Sequence, residues 1–562
     1  MRCRMSLQWK LSREVPEDTA AVGRAILRPD NVYRQIGDHF DELFPDEGVF
    51  APMYCDTGRG AIPPLLAALV TVFQMLEKVP DRQGAEMVGT RIDWKYALHL
   101  PLTYAGFHFT DLYAFRVRLV EHGQELAFFE EILARLRALG LIKRRGKART
   151  DATHILAVVQ RLSQLELITE ALRVGVEAAT RVAPDWVERE LPPAFRDRYS
   201  GRQSEYGLSD TEVKAGLAEA SKNAFWFLEK VDRTAPKVVR ELAEVETLRV
   251  VCRQQFPEGP GRPPAKRPTG SDVIETPHET EARYAVKRGQ PWQGYKMQVT
   301  ETCDDDRPHL IVDLEPTGAL DNDSPELPKI QERLAQRDVL PGEQYTDQAY
   351  VSAGNLVRSA ERGINLMGVP PADTQGRQGF HQADFAIDEA GQTAVCPAGQ
   401  RSTVRGRRKR GQDSSLHTQL RFDGRVCQRC PFFGQCTKSL QGRSLTLHPH
   451  RLVLYQRRAE AATEEFQQRM HVRAGAEATI SELTRGHGLR NARYRGAVKL
   501  RLQAGFTGVA VNLKRTFRWL SQQKPVAGPA GDLLGRCTTA IAVASGRPSG
   551  DQLRLDSTYL IC

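Results

Sequence analysis

The sequence predicts an α/β protein: a mixed-sheet core with a helical N-terminal domain, a helical insertion and a small Cys-rich insertion. Three observations carry this. Apolar residues recur at helical spacing through the first 145 residues. The chain turns extended at 148–153 and alternates with period two from 295. A strand, strand, helix, strand order then follows, and with the earlier strand it builds a mixed sheet. At 562 residues there is room for three or four domains of roughly 150 residues each. A chain with 41% apolar and 26% charged residues is not disordered throughout. The longest apolar run, 61–76, is broken by Pro63, Pro64 and Gln74 and falls short of the ~20 residues that span a bilayer. The start, Met-Arg-Cys-Arg-Met, has no signal-peptide core, so a cytoplasmic protein is expected.

The elements follow in order. Val32, Ile36, Phe40 and Leu43 form one helix face over 31–44, and Pro45 ends it. A second helix covers 62–76, and Thr110 and Asp111 can cap a third through Leu112, Phe115 and Leu119. This module, 1–145, could bind DNA or hold a dimer together. A basic loop at 143–147 leads into the extended segment 148–153, which carries Asp151. Helical spacing returns over 155–178, with Leu162, Leu165, Ile168 and Leu172, and continues to about 255. Five prolines and three glycines make 257–270 a linker or exposed loop. The strands 295–302 and 309–314 read as a hairpin, 324–337 as a helix, and 342–347 as a strand ending in Tyr-Thr-Asp. The core is therefore expected over 146–159 and 270–380, interrupted by a helical insertion at 160–269. A loop-rich insertion at 381–450, helices at 451–522 and a disordered tail at 523–562 complete the chain.

Charge is distributed unevenly. The whole chain carries +10, but 401–520 holds 25 Lys and Arg against 7 Asp and Glu, so the remainder is at −8. Such a concentration is an electrostatic footprint for a phosphate backbone. It includes Arg405-Gly406-Arg407-Arg408-Lys409-Arg410, either a DNA contact or a disordered solvated loop. Four of the ten cysteines, Cys396, Cys427, Cys430 and Cys436, are grouped with a C-x2-C pair among them. Four thiolates could hold a structural Zn²⁺ and staple a loop-rich insert, or remain free thiols.

Asp151 and Asp347 are each expected at or just past the C-terminal end of a strand, the edge of an α/β sheet where ligands bind. Two such carboxylates on adjacent strands suit Mg²⁺ or Mn²⁺. A third acid is expected from Glu477, at the start of a helix, with Glu482 as its rival. From 496 onward, Val498, Leu502, Phe506, Val509 and Leu513 should face a core, leaving Arg495, Lys499 and Arg501 elsewhere on the helix and available to phosphates.

Five ordered segments, spread between residues 15 and 520, resemble the DDE-type transposases of bacterial insertion sequences. They are Ala148-Arg149-Thr150-Asp151-Ala152-Thr153; 282–289 with Trp292, Gly294-Tyr295-Lys296 and Thr300-Glu301-Thr302; Tyr345-Thr346-Asp347-Gln348-Ala349-Tyr350; Arg473-Ala474-Gly475-Ala476-Glu477; and Arg493-Tyr494-Arg495-Gly496 followed by Lys499, Gln503, Asn512 and Arg515. The resemblance implies an RNase H-like catalytic core. It also implies two-metal phosphoryl transfer with Asp151, Asp347 and Glu477 as catalytic metal ligands for Mg²⁺ or Mn²⁺. Its implied partners are double-stranded DNA, as the element's terminal repeats and the target, and a second copy of the chain in the synaptic complex, with no membrane. Arg473, Arg485, Arg493, Arg495 and Lys499 are the implied DNA contacts. Relatives often show Tyr three residues before that Arg and Lys seven after the Glu. Here those positions are Met470 and Thr484, and Arg485 lies one residue on, about 100° round the helix. A catalytically inactive DNA-binding relative or repressor, or a hydrolytic nuclease on the same core, is the alternative reading.

Overall fold

The computed structural model describes residues 5–522 and 532–544, apart from 8–9, 56, 203–204, 206, 265, 288, 373–379, 389, 391 and 411–414. Helices fill 17–138, and their centre is α1 (Pro64–Glu77). Pro64 occupies its first turn, where the missing N–H costs nothing. Leu65, Leu66, Leu69, Val70 and Phe73 leave α1 without a solvent face, so it must be surrounded.

Strand β1 (Lys147–Leu156) begins the sheet. It runs further than its sequence suggests, so the next helix, α2 (Gln164–Val182), starts only at Gln164, where Ser163 and Glu166 form a reciprocal capping box. With α3 (Asp210–Thr234) and α4 (Ala243–Gln255), α2 encloses its own apolar cluster around Leu172, Phe227 and Leu248. The insertion is thus a separate packing unit. The Pro-rich segment after it is fastened to the insertion, where Arg267 donates to the Leu162 carbonyl and to Glu275.

The chain then re-enters the sheet through β2 (Arg283–Lys287), β3 (Gln290–Thr302) and β4 (Ile311–Gly318). Helix α5 (Glu326–Gln336) crosses to β5 (Glu343–Thr346), and β6 (Asn365–Met367) follows. The order is β4–β3–β1–β5–β6, with β2 on the first half of β3. Strands β1, β3 and β4 are antiparallel neighbours, whereas β5 and β6 run parallel to β1. This is the mixed sheet expected of an RNase H-like core.

The insertion at 381–450 has long loops as expected, but it is not loop throughout. It holds a three-stranded antiparallel sheet, β7 (Thr403–Arg410), β8 (Ser415–Arg421) and β9 (Ser444–Leu447), over a small apolar cluster with Phe385, Phe422 and Leu445. Val404 is the one apolar residue of β7, so no alternation betrays the strand. Beyond it come α6 (Gly475–Ser481) and the long α7 (Ala497–Gln522). Leu502, Phe506, Val509 and Leu513 of α7 are buried as expected, but Val498 in its first turn is exposed. The tail is also more ordered than expected. It contains α8 (Leu533–Ala544), whose Leu533, Cys537, Ala540 and Ile541 are buried, while 523–531 and 545–562 lie outside the described residues. All eight described cysteines are free thiols; Cys3 and Cys562 are not among them. Among the described residues no helix is long and apolar enough to cross a membrane.

Helix α7 joins the N-terminal helices to the sheet. Its Gly508 lets it approach closely, because a Cβ there would press on Leu314 of β4 and Phe129. One step along, Asn512 accepts from the Ile311 N–H at 2.7 Å and donates to the Ile311 carbonyl at 2.9 Å. A single apolar cluster runs from Leu11 through α1, the sheet and α7 to α8. Asn512→Leu is expected to cost about 2–3 kcal/mol, since both buried backbone groups of Ile311 lose their partner. The midpoint of guanidinium unfolding should fall accordingly; an unchanged midpoint would rule out this bond pair as a strut.

Candidate active site

Register brings the first two acids together. Thr150 of β1 is paired in parallel with Thr346 of β5. The next residue on each strand is an aspartate, so Asp151 and Asp347 leave neighbouring strands side by side. Asp347 lies just past its strand as expected. Asp151 does not end β1; it sits mid-strand, where pairing to β5 stops while pairing to β3 continues. Alternation turns Arg149, Asp151 and Tyr345 to one face and Thr150, Thr300 and Gln344 to the other. That other face is tied by Thr150 to Thr300 at 2.9 Å and by Gln344 to Thr150 at 2.8 Å.

Arg473 covers the pair. Its Nη2 lies 3.2 Å from Asp151 Oδ2 and 3.9 Å from Asp347 Oδ2, so one guanidinium serves both carboxylates. Asp151 is the more enclosed, at 15% side-chain exposure against 39% for Asp347. Burial raises the Asp151 pKa above the usual carboxylate range, and Asp347 adds to this. The Ala152 N–H and Arg473 offset only part of it. Asp347 accepts the Ala349 N–H at 2.5 Å, which holds the turn after β5. Arg473 Nε is buried without a hydrogen-bond partner.

The helical segment carrying Arg473 is positioned by a second set of charges, which the sequence reading missed as a group. Glu301 of β3 stands directly across from Arg149 of β1 and accepts its Nε at 2.6 Å. The other oxygen of Glu301 accepts Arg515 Nη1 at 2.6 Å and Thr479 Oγ1 at 2.7 Å. Arg515 also reaches Glu482 at 2.8 Å, and Arg149 donates to the Val472 carbonyl at 2.8 Å. The sheet, α6 and α7 thereby share one buried ion network. A Cβ on residue 475 would overlap the Arg149 guanidinium, so Gly475 is required for α6 to lie this close. Burial alone would lower the pKa of Arg515; Glu301 and Glu482 outweigh it and raise it. The available signal was Glu301 itself, an acid near the end of a strand whose last residues are all buried.

The two candidates for the third acid differ sharply. Glu482 is bound by Arg515 and Lys514. Burial pushes its carboxyl up, but these two cations outweigh it and hold the pKa below the ordinary value. Glu477 is exposed, has no hydrogen-bond or ion-pair partner among the described residues, and lies one helical turn after Arg473. Of the expected DNA contacts, Arg485, Arg495 and Lys499 are exposed. Arg493 is turned inward, donating to the Val79 carbonyl at 3.0 Å and the Gln74 carbonyl at 3.5 Å, and so ties the end of α1 to the core instead of facing a groove. Arg501 is likewise held by Glu315 at 2.5 Å.

The donor chemistry of Asp151 and Asp347, two hard carboxylates already sharing one positive charge, fits a divalent cation. Among the described residues, no three His, Cys, Asp or Glu side chains are grouped tightly enough to hold a metal ion. Cys396, Cys427, Cys430 and Cys436 line one cavity of about 60 Å³ beside Phe380 and Phe432. Burial raises the Cys436 thiol, and the three other cysteines add to this as neighbouring negative charges.

Paired aspartates on neighbouring parallel strands of a mixed sheet, in a chain whose C-terminal third is strongly basic, are an arrangement that suits phosphoryl transfer on nucleic acid. Residues 395–517 match the Transposase DDE domain and residues 22–118 the Transposase domain (DUF772). These two matches, to separate stretches at the two ends of the chain, support a DDE-type transposase of an insertion sequence. The first match covers Glu477 and most of α7 but begins after both aspartates. No curated protein matches the chain. Glu301→Gln, which strands two buried guanidinium groups, is expected to destabilise the protein by about 3–5 kcal/mol. Chemical denaturation of the purified variant tests this, and a loss under about 1 kcal/mol would mean that the network is not a structural tie.

Proposed function

We propose that the protein binds the terminal repeats of its insertion sequence and catalyses DNA strand cleavage and strand transfer, with Asp151, Asp347 and Glu477 as its catalytic carboxylates. The observation that carries this reading is the pair of aspartates, set side by side by strand register and facing one cation. When bound, two divalent ions, Mg²⁺ or Mn²⁺, would activate the attacking water or DNA 3′-hydroxyl and stabilise the leaving oxygen. Asp151 and Asp347 hold negative charge on a rigid sheet. Glu477 completes the set from α6, whose position the Arg149–Glu301–Arg515 network maintains. Arg473 balances the carboxylates until substrate arrives and then becomes available to a phosphate. Arg485, Arg495 and Lys499 contact the DNA backbone, and two copies of the chain act on two ends.

Asp151→Asn, Asp347→Asn and Glu477→Gln should each reduce cleavage of a terminal-repeat duplex by more than about 100-fold, since loss of even an outer partner of a metal ligand costs 10–100-fold. End binding should survive. EDTA should abolish cleavage by the wild-type protein, and Mg²⁺ should restore it. Should Glu477→Gln cleave normally, the third carboxylate lies elsewhere.

We also propose that Cys396, Cys427, Cys430 and Cys436 take a structural Zn²⁺. Support comes from the cavity that all four line and from the C-x2-C pair among them; their side chains would have to close further on the ion than they do here. Metal analysis of reduced protein should find about one zinc per chain, as four thiolates complete a tetrahedral shell. Cys430→Ser should lower this content without removing a catalytic group. Zinc-free wild-type protein would defeat the assignment.

A further inference from the structure

The basic run of the Cys-bearing insertion forms a specific shape. Strand β7 pairs with β8 from Thr403↔Arg421 to Arg410↔Ser415. Strand β9 covers only Thr418–Arg421 of β8. The far half of the hairpin, Arg408–Arg410 against Ser415–His417, extends past β9 as a two-stranded ribbon, touched on its His417 side by His448, whose ring lies 3.2 Å from the Ser415 hydroxyl. Arg405, Arg407, Arg408 and Lys409 are all exposed, and none has an ion-pair partner among the described residues. Alternation puts Arg407 and Lys409 on one face, opposite Thr418 and Leu416, and Arg408 on the other, opposite His417. The register slips between Val404 and Gly406, and such a bulge bends and twists the strand that carries it.

Cations on both faces, with His448 the neighbour of the His417 side, leave the ribbon no apolar face with which to cover a protein core or enter a membrane. They suit a partner with negative charge on two walls. The major groove of B-form DNA, about 12 Å wide between its phosphate rims, admits a two-stranded β-ribbon. The major groove of A-form RNA is too deep and narrow. We propose that the β7–β8 ribbon is a DNA-binding arm that seats in the groove of a duplex and contacts phosphates on both sides. The proposal rests on the DNA-processing reading above and adds a contact surface remote in sequence from the carboxylates. The competing use of such charge is to stop an exposed edge strand from pairing with another chain.

The test uses the full-length protein and a terminal-repeat duplex, with affinity measured between 50 and 250 mM salt. Each phosphate contact contributes about −0.9 to the log–log slope. Arg407→Ser with Lys409→Ser should flatten the slope by about 1.8, and Arg408→Ser by about 0.9. These side chains are exposed, so the melting temperature should not change. In a second measurement, Leu416 replaced by the photoreactive p-benzoylphenylalanine should crosslink to bound duplex. Wild-type slopes in both variants, or no crosslink at Leu416 while the protein is bound, overturn the arm and leave the transposase reading intact. If the variants only aggregate more and bind DNA as before, the charge guards the edge strand and the proposal also fails. A wild-type protein that binds no duplex at any salt would instead overturn the underlying reading.

Discussion

The buried carboxylate of Glu301, gripped by Arg149 and Arg515, is the interaction on which the geometry of the site depends. Glu301 and Arg149 face each other across two antiparallel strands, and Arg515 reaches in from a helix more than 200 residues later in the chain. A buried ion pair contributes little net stability compared with an apolar replacement, but breaking one is costly. Its effect here is positional. Thr479 and the Val472 carbonyl bind the same charges, so the segment 472–479 has one place against the sheet. Arg473 and Glu477 both lie in that segment. A hydrophobic contact could hold α6 down as firmly, but it would tolerate sliding or rotation that directional hydrogen bonds forbid.

A second constraint is the continuity of the core. Helix α7 lies against α1 on one side and β4 on the other, and Arg493 adds hydrogen bonds to carbonyls at the end of α1. The helices of 17–138 therefore move with the catalytic sheet and not as a tethered reading head. Any DNA surface they carry has a fixed distance and orientation to Asp151. The helical insertion between β1 and β2 has its own apolar cluster and is free of this constraint in packing terms.

Much of this was legible in the sequence, and the gaps have physical causes. The β3–β4 hairpin, α5 and the strand that ends before Asp347 followed from alternation and helical spacing, because those elements bury one face. That Asp151 and Asp347 stand on adjacent strands was read from their strand-end positions, but the pairing that sets them side by side was not, since register is a property of two strands and no single-strand pattern encodes it. Strand β7 was missed because its residues are cations with almost no apolar partner, so the period-two signal is absent. Helix α8 was missed because its stripe is one small group, Leu533, Cys537, Ala540 and Ile541, too short to stand out as a period. The inward turn of Arg493 was not legible, because the resemblance that implies a DNA contact there carries no information about the direction of the side chain. Its guanidinium is satisfied by backbone carbonyls, which leave no trace in the sequence.

That last point changes how the basic third of the chain should be understood. Its excess of Lys and Arg looks like one phosphate-binding surface, yet many of these groups are consumed inside the fold. Arg457, Arg469, Arg501 and Arg515 neutralise Glu460, Glu343, Glu315 and Glu301. Arg473 neutralises the site itself. Guanidinium suits this internal use, because a planar fork can satisfy several acceptors at once and stays charged when buried. Among the cations left facing water are one group on the ribbon at 405–409 and another at Arg485, Arg495 and Lys499 around the start of α7, while Arg401, Arg425, Arg429, Lys438 and Arg518 are exposed elsewhere. On the proposed reading, the ribbon grips flanking duplex while the second group lies beside the carboxylates that hold a DNA end. The net charge of this third therefore overstates the surface open to a phosphate backbone, because part of it is spent on acids of the fold.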